Sequence, residues 1–450
     1  MNESSDIITP DGFNRRTFLK KGSAAMAGGA LIGSLSAERF AHAASSDELK
    51  IALIGCGGRG GGAADQALST YQIGPVKLVA MADVHEDRLE GTLKNLTTKH
   101  AERIDVPKER RFLGFDAYEK AIALADVVIL ATPPGFRPMQ FEAAVKAGKN
   151  IFMEKPVATD APGIRRVLAA AEEAKRKNLK VGVGLQRHHQ AGYIETLKRL
   201  HDGAIGDITS MTCYWNGQTP WVKTRESLEK QYGRKLTEME YQMRNWYYFT
   251  WICGDHICEQ HIHNLDVINW VKNGHPVKAQ GMGGVAVRIG PDYGEIFDHH
   301  AVEFTYADGS KCFSQCRHIP GCWDSVSEHA VGTKGTVDVS GNTIRGENQW
   351  RFKPDTKPKD PYQQEHDDLF TAIRNNTPYN ETLEYGATST MTAILGRMAT
   401  YGGKEVEWDK AIKSEINLFP EKLAWDAPMK VNPGPDGMYP HAMPGKTVVI

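Results

Sequence analysis

Ile51-Ala52-Leu53-Ile54-Gly55-Cys56-Gly57-Gly58-Arg59-Gly60 is the stretch that decides the fold. An apolar run of strand type feeds directly into G-x-G-x-x-G, formed by Gly55, Gly57 and Gly60. This is how a strand turns into a helix around a dinucleotide pyrophosphate. The first glycine permits the tight turn, the second lets the backbone approach the phosphates, and the third lets helix and strand pack closely. Cys56, Gly58 and Arg59 lie in the same loop and are assigned with it to cofactor binding. A second strand-like run, Lys77–Ala82, ends in Asp83. An acidic residue about 20 positions beyond the glycines is where ribose hydroxyls are expected to bind. Asp83 predicts NAD, since a carboxylate repels a ribose phosphate. Arg88, five residues on, leaves NADP as the alternative.

Outward from this loop, strand and helix signals alternate. The strand at Ile51–Ile54 is followed by helices near Gly61–Thr70 and Glu86–His100, with the strand Leu78–Ala82 between them. Strands then read at Ala125–Ala131, Asn150–Met153 and Lys180–Leu185, separated by helices near Pro138–Ala147 and Ala161–Lys177. Continuous apolar strands of this kind are buried on both faces, as in a parallel sheet covered by helices. The expectation is a doubly wound α/β domain over residues 48–186.

The character changes after Gln186. Following a helix near Tyr193–His201, strands dominate at Ile208–Trp215, Val277–Ile289, Ala301–Tyr306, Lys311–His318 and Thr336–Val339, with Ala307-Asp308-Gly309 as a hairpin turn. The expectation for residues 187–400 is an α+β domain on a large, open, mainly antiparallel sheet. A segment near Thr219–Tyr248, rich in charges and aromatics, interrupts it as a lid or interface arm. Helices follow near Tyr362–Asn375 and Tyr385–Thr400. Residues 401–450 form a C-terminal extension, extended from Pro428 to Lys446 where Pro and Gly are dense.

The 450 residues suffice for two domains with their own cores. Lys and Arg number 54 against 55 Asp and Glu, with no block of like charge, so nucleic acid is not an expected partner. Seven cysteines without a C-x-x-C pair argue against a disulfide framework; Cys312 and Cys316, four apart on one strand face, read as packed thiols.

The N-terminus reads as a targeting segment. Asn14-Arg15-Arg16-Thr17-Phe18-Leu19-Lys20 has the twin-arginine pattern. A small-residue apolar region runs to Leu35, and Ala41-His42-Ala43 offers a cleavage site. Residues 1–43 are thus expected to be a signal peptide read by the Tat export machinery, with a periplasmic or otherwise exported mature protein. The apolar region is too short to serve as a membrane anchor.

Two constellations carry chemistry. Glu154-Lys155-Pro156 follows the strand Asn150–Met153, and ligands bind at strand ends in open α/β sheets. Lys155 there points an ammonium at a substrate hydroxyl and stabilises developing alkoxide charge. The second is Gly254-Asp255-His256-Ile257-Cys258-Glu259-Gln260-His261-Ile262-His263-Asn264-Leu265-Asp266, read as the start of a helix. His256, Glu259, His263 and Asp266 then share one face. A carboxylate one turn from an imidazole raises its basicity, which suits a general base. His256, His261, His263, Glu259 and His299-His300 also offer metal-ligating groups, but the spacing is not H-E-x-x-H and no metal is assigned.

Taken together, these residues resemble the glucose-fructose oxidoreductase and inositol dehydrogenase family (Gfo/Idh/MocA). The resemblance runs from about Leu49 to Thr400. It rests on the Gly55–Gly60 loop, Thr132-Pro133-Pro134, Glu154-Lys155-Pro156, Gly203-Ala204-Ile205-Gly206 and Gly332-Thr333-Lys334-Gly335-Thr336. It implies a Rossmann domain in which Thr132, Pro133, Glu154 and Lys155 join the cofactor site. It further implies that Lys155 is the catalytic lysine and His263 the catalytic histidine, with Glu259 where the family's D-x-x-x-H pattern usually has Asp. Phe136-Arg137 stands where the family loop often carries a histidine. Arg187 and His188, at the domain junction, and Asp266 are the expected substrate contacts. The implied activity is an NAD(P)-dependent oxidation of a sugar, cyclitol or glycoside hydroxyl. Two alternatives are a glycoside hydrolase or lyase working by transient oxidation and elimination, and a non-catalytic sugar-binding relative. Free cofactor is not replenished outside the cytoplasm, so an exported enzyme is expected to hold its NAD tightly. The open face of the second sheet, and the dimers and tetramers common in the family, imply a homo-oligomer.

Overall fold

In the computed structural model, which describes residues 47–450, the apolar runs of the first half become six strands. They are β1 (Leu49–Ile54), β2 (Val76–Asp83), β3 (Arg111–Leu113), β4 (Val127–Leu130), β5 (Asn150–Met153) and β6 (Val181–Val183). Their order is β3-β2-β1-β4-β5-β6, and every pairing is parallel. The order reverses between β1 and β4, and a crevice opens above the carboxyl ends of the strands at such a point.

The alternation of side chains along each strand feeds two cores. Ile51, Leu53, Met81, Val127, Ile129 and Phe152 face one way, against helices Gly58–Ser69 and Glu86–His100. Ala52, Ile54, Ala80, Val128, Leu130 and Met153 face the other, against helices Ala117–Ala123, Arg137–Lys146 and Ala161–Arg176. Burial on both faces explains why these strands read as unbroken apolar runs. One element of the first layer comes from far along the chain. Helix Pro361–Asn375 places Leu369 and Phe370 in the same core as Ile51 and Phe152.

The second sheet has nine strands: β7 (Ile208–Gly217), β8 (Lys278–Gly284), β9 (His299–Thr305), β10 (Lys311–His318), β11 (Ser325–Gly332), β12 (Gly335–Asp338), β13 (Thr343–Gly346), β14 (Trp350–Arg351) and β15 (Val406–Glu407). The order is β14-β13-β12-β11-β7-β10-β9-β8-β15. Only β7 and β10 run parallel; the other neighbours are antiparallel. One face packs on helices Ile262–Lys272 and Ala387–Gly402, with Cys213, Cys312, Cys316, Val302 and Phe304 turned inward. The cysteines are free thiols, and only Cys322 is exposed.

The structure corrects several sequence expectations. The strand expected over Val277–Ile289 ends at Gly284. There the Asp298 carboxylate accepts the backbone N–H groups of Ala286, Val287 and Arg288 at 2.8, 2.7 and 3.1 Å, taking the place of a partner strand. β11, a central strand, was not anticipated: polar Ser325, Ser327, Glu328 and His329 break its apolar signal. The Tyr385–Thr400 helix begins after a π turn at Thr382–Gly386. The extension after residue 400 supplies β15, which closes the sheet beside β8.

A third core joins the aromatic segment to the tail. Met239, Tyr241, Tyr247, Phe249 and Trp251 pack with Ala427, Met429 and Tyr439, and with Phe136 from the first sheet's loops. Among the described residues no helix is long and apolar enough to cross a membrane. The leader expected at residues 1–43 lies outside the described residues.

Candidate active site

The glycine loop forms the floor of a cleft of about 720 Å³. Gly55 adopts φ +90°, and a Cβ there would lie 2.4 Å from the Thr132 nitrogen. A Cβ on Gly60 would lie 1.9 Å from the Gly55 carbonyl oxygen. Gly57 and Gly58 face open space instead. These are the three demands of a pyrophosphate loop: a left-handed turn, a bare backbone surface, and close helix–strand packing. Gly57 caps helix Gly58–Ser69 without a side-chain hydrogen bond. The first amide groups of that helix are therefore left for an anion. The residues present fit a dinucleotide.

Gly55, Gly57, Gly58, Arg59, Gly60, Asp83, Thr132, Pro133, Glu154 and Lys155 all line the cleft. Cys56 does not: its side chain is buried under the loop, and its backbone N–H donates to Asp83 Oδ2 at 2.6 Å. Asp83 also accepts the His85 N–H on Oδ1 at 2.8 Å. Burial nonetheless holds its carboxyl above the usual carboxylate range. Asp83 therefore ties the glycine loop to the loop after β2, and each oxygen keeps a lone pair for a ribose hydroxyl.

Arg59 donates to Glu154, and to Glu365 Oε1 at 3.2 Å, while its guanidinium lies 4.9 Å from the Tyr362 ring centroid. The long-range helix Pro361–Asn375 thus reaches the cleft through Glu365 and Tyr362. Arg137, which sequence reasoning left without a role, is buried between strand ends. It donates to the carbonyl oxygens of Leu130 at 3.2 Å, of Glu154 and of Thr132. It laces the ends of β4 and β5, which carry Thr132 and Lys155. Burial lowers its pKa to about 10. Its only sequence signal was an arginine in the loop following Pro133-Pro134.

Lys155 ends its strand with a cis peptide to Pro156. Its Nζ donates to the Glu259 carbonyl oxygen and to Glu259 Oε1 at 3.3 Å. The continuous helix read from the sequence is broken. One turn spans His256–Glu259, and a new helix starts at Ile262. The break turns Glu259 onto Lys155, not onto His263. His263 is 7% exposed and lines the same cleft. Among the described residues neither of its ring nitrogens has a hydrogen-bond partner, and Nδ1 is fully buried. Burial first, then the charges of Lys155, Arg187 and Arg59, push its pKa well below 6.5. This reverses the expected direction: the imidazole is held neutral, which is the form a general base needs.

Arg187, His188 and Asp266 do not line the cleft. Arg187 is paired with buried Glu328. The His188 ring is stacked between Tyr385 and Trp270, at 3.7 and 4.2 Å, with Nε2 3.0 Å from Asp266. Asp266 also accepts from Ser389 at 2.8 Å. These three form a polar layer behind the cleft. The residue that the one-face reading of His256, Glu259, His263 and Asp266 missed is Gln260, at the helix break. Gln260 lines the cleft and accepts on Oε1 from His318 Nε2 at 2.8 Å.

Of the groups considered for a metal, only His256 and His300 meet, on either side of Asp255. The Asp255 carboxylate is already occupied. It accepts from Tyr401 at 2.6 Å and from the Phe297 N–H at 3.1 Å, and His256 Nδ1 and His300 Nε2 stand 2.9 and 3.2 Å away. The cluster is a structural hub holding the turn that carries Glu259 and Gln260.

Comparison with known proteins agrees with this geometry. Residues 49–183 match the Gfo/Idh/MocA family model, described as an oxidoreductase family with an NAD-binding Rossmann fold. Inositol 2-dehydrogenase from Cereibacter sphaeroides is 27% identical over 233 residues, which is 52% of this chain and 56% of that protein. The chain therefore spans little more than half the length of that relative. The fold is shared with the aldose-aldose oxidoreductase from Caulobacter crescentus complexed with glycerol. That match has a TM-score of 0.60 and 18% identity, and covers 80% of this chain and 99% of that one. The scyllo-inositol dehydrogenase from Lactobacillus casei with bound NAD(H) and scyllo-inositol superposes with a TM-score of 0.58 and 20% identity, over the same 80% and 99%. Residues 49–183 are therefore similar to the NAD-binding Rossmann domain of the Gfo/Idh/MocA oxidoreductase family.

Proposed function

We propose that the protein is a nicotinamide-dependent dehydrogenase acting on a ring hydroxyl of a sugar or cyclitol. The observation that carries this reading is the meeting of Lys155 and a neutral His263 in the cleft that starts at the glycine loop. Bound there, a nicotinamide dinucleotide supplies the hydride acceptor. His263 takes the hydroxyl proton as the carbon's hydrogen departs as hydride. Lys155 donates a hydrogen bond to the same oxygen and offsets the negative charge it gains. Glu259 holds the Lys155 ammonium at that position. In reverse, His263 returns the proton to the reduced carbon's oxygen.

The reading includes tight retention of the cofactor. Support comes from the rim of the cleft on the Asp83 side, where two segments remote in sequence meet the stretches after β2 and β3. Arg244 holds Asp87 through two hydrogen bonds, of 2.9 and 2.7 Å. Trp425 stacks on His85 at 5.7 Å and packs on Phe115 at 4.7 Å. Export by the twin-arginine route belongs to the same proposal and rests on the Arg15-Arg16 leader. A folded, cofactor-loaded enzyme is the cargo such a route would carry.

Two measurements test it. Purified protein should release nicotinamide dinucleotide on acid extraction at about one per chain. Reduced nicotinamide absorbance should then rise on addition of a sugar or cyclitol from a panel. Lys155→Ala should keep the dinucleotide and lose the absorbance change. Wild-type turnover in that variant would remove the proposed site. For export, Arg15→Lys together with Arg16→Lys should leave the protein in the cytoplasmic fraction.

A further inference from the structure

Of the chain's nine tryptophans, Trp215, Trp221 and Trp246 line the same cleft as Lys155 and His263. Near the reacting atoms the wall is polar, built from Lys155, Glu259, Gln260 and His263. Trp215, on β7, borders this part with its ring 5.9 Å from that of His263 and inclined by 24°. Trp221 and Trp246 line the same cleft and connect through Tyr247 and His318 to Gln260. Trp221 lies four residues beyond the end of β7 and is 43% exposed. Its ring meets Trp246 at 5.8 Å and 61°, and Tyr247 at 6.3 Å and 66°.

Those edge contacts pack Trp221 on two neighbours while leaving much of its surface open. Tyr247 behind it is fully buried and stacks on His318, the residue that holds Gln260. Trp221 and Trp246 are thus tied to the polar floor. The polar floor and Trp215 together already offer a single sugar ring its hydroxyl partners and an aromatic face. The half-exposed Trp221 indole in the same cleft gains by covering a further apolar ring face.

We propose that the natural substrate has two rings. The oxidised sugar ring sits between Lys155 and His263, and a second ring, joined to it glycosidically, stacks on the platform of Trp221 and Trp246. The second ring has an apolar face, which either another hexose or an aromatic aglycone provides. The proposal rests on the assignment of the cleft to sugar oxidation and names the class of sugar. The hydride and proton steps are unchanged, because the platform touches only the unreacting ring.

The test compares cellobiose and p-nitrophenyl glucoside with glucose on the cofactor-loaded enzyme. The two-ring compounds should show the higher kcat/KM, by about tenfold, the yield of one aromatic contact. Trp221→Ala should cut that preference about tenfold, through KM. Trp221→Phe should retain most of it. Trp323→Ala, which removes an exposed indole outside the cleft, should retain all of it. A preference that Trp221→Ala does not alter would overturn the proposal, as would equal kcat/KM for one and two rings in the wild type. Loss of preference for p-nitrophenyl glucoside alone would assign the platform to an aromatic ring, and for cellobiose alone to a second hexose. If none of the three sugars is oxidised, calorimetric binding to the cofactor-loaded Lys155→Ala variant decides. Tighter binding of two rings, lost in Lys155→Ala/Trp221→Ala, supports the platform, and equal or absent binding overturns it. The oxidation assignment then fails separately from the binding assignment.

Discussion

In the proposed reaction His263 takes the proton, so its charge state would set the pH range of activity. Burial removes water from the ring, and the fields of Lys155 and Arg187 act in the same direction, so its pKa lies well below 6.5. A base must be unprotonated to work, so lowering its pKa extends activity towards acid. The kcat/KM profile for sugar oxidation should stay flat through pH 6.5, with its acidic limb below that value. Arg187 does not line the cleft, so Arg187→Gln tests its field together with that of the buried Glu328 it leaves unpaired. Its limb should move up towards 6.5, and an unmoved limb would show that burial does all the work. The same histidine makes acid destabilising. Below 6.5 the unfolded chain binds a proton that the folded His263 refuses, so stability falls as pH drops from 6.5. Lys155 and His263 were both singled out in the sequence, by strand-end position and by the family resemblance, and the structure brings them into one cleft. Glu259's partner was not legible. One face of a helix was assumed, and the chain breaks that helix at Gln260 and His261.

The cause of the break sits one element earlier, at the short turn His256–Glu259. Asp255 precedes it at φ +72°, an uncommon conformation for a residue with a side chain. The carboxylate is locked by Tyr401, by the Phe297 N–H and by the two flanking histidines. The histidines lower its pKa well below the usual range despite its burial. Asp255→Ala leaves Tyr401 and the Phe297 amide buried without an acceptor. Removing one partner of such a buried charged set costs about 3–5 kcal/mol. Denaturant unfolding should show a loss of that size, with Glu259 and Gln260 displaced and kcat/KM reduced. A loss below about 1 kcal/mol, within the range of an exposed ion pair, would mean the hub does not hold the turn. Elements of this kind are invisible to periodicity. The six parallel strands could be read because each is a continuous apolar run buried on both faces. β11 could not, because its inward Glu328 is neutralised by Arg187, a partner 141 positions away.

At the scale of the whole molecule, the cofactor cleft is bordered by pieces that no local pattern joins. The aromatic segment lines it with Arg244 and Trp246, and the loops of the first sheet with His85, Phe115 and Phe136; behind these, Asp87 pairs with Arg244, and Trp425 and Phe419 of the tail pack on His85, Phe115 and Phe136. Phe419 packs edge-on to Phe136 at 5.4 Å, and the Trp425 carbonyl accepts from Thr237. The tail's Pro and Gly content correctly suggested extended chain, but composition carries no information on where an extended chain lands. In the proposed reading, retention of the cofactor would rest on a few contacts. The Arg244–Asp87 pair is half exposed, since Asp87 is 53% accessible, and is worth at most about 1 kcal/mol. An aromatic contact such as Trp425 on His85 or Phe115 adds roughly 0.5–1.5 kcal/mol. Opening both should therefore speed cofactor loss by about tenfold or more. Arg244→Ala/Trp425→Ala should emerge from gel filtration depleted of dinucleotide, inactive as isolated and reactivated by added NAD. The wild type should need no addition. Full dinucleotide content in the double variant would place the grip in the glycine loop alone. There the corresponding change is Gly60→Ala, whose Cβ would collide with the Gly55 carbonyl oxygen at 1.9 Å and force the loop apart.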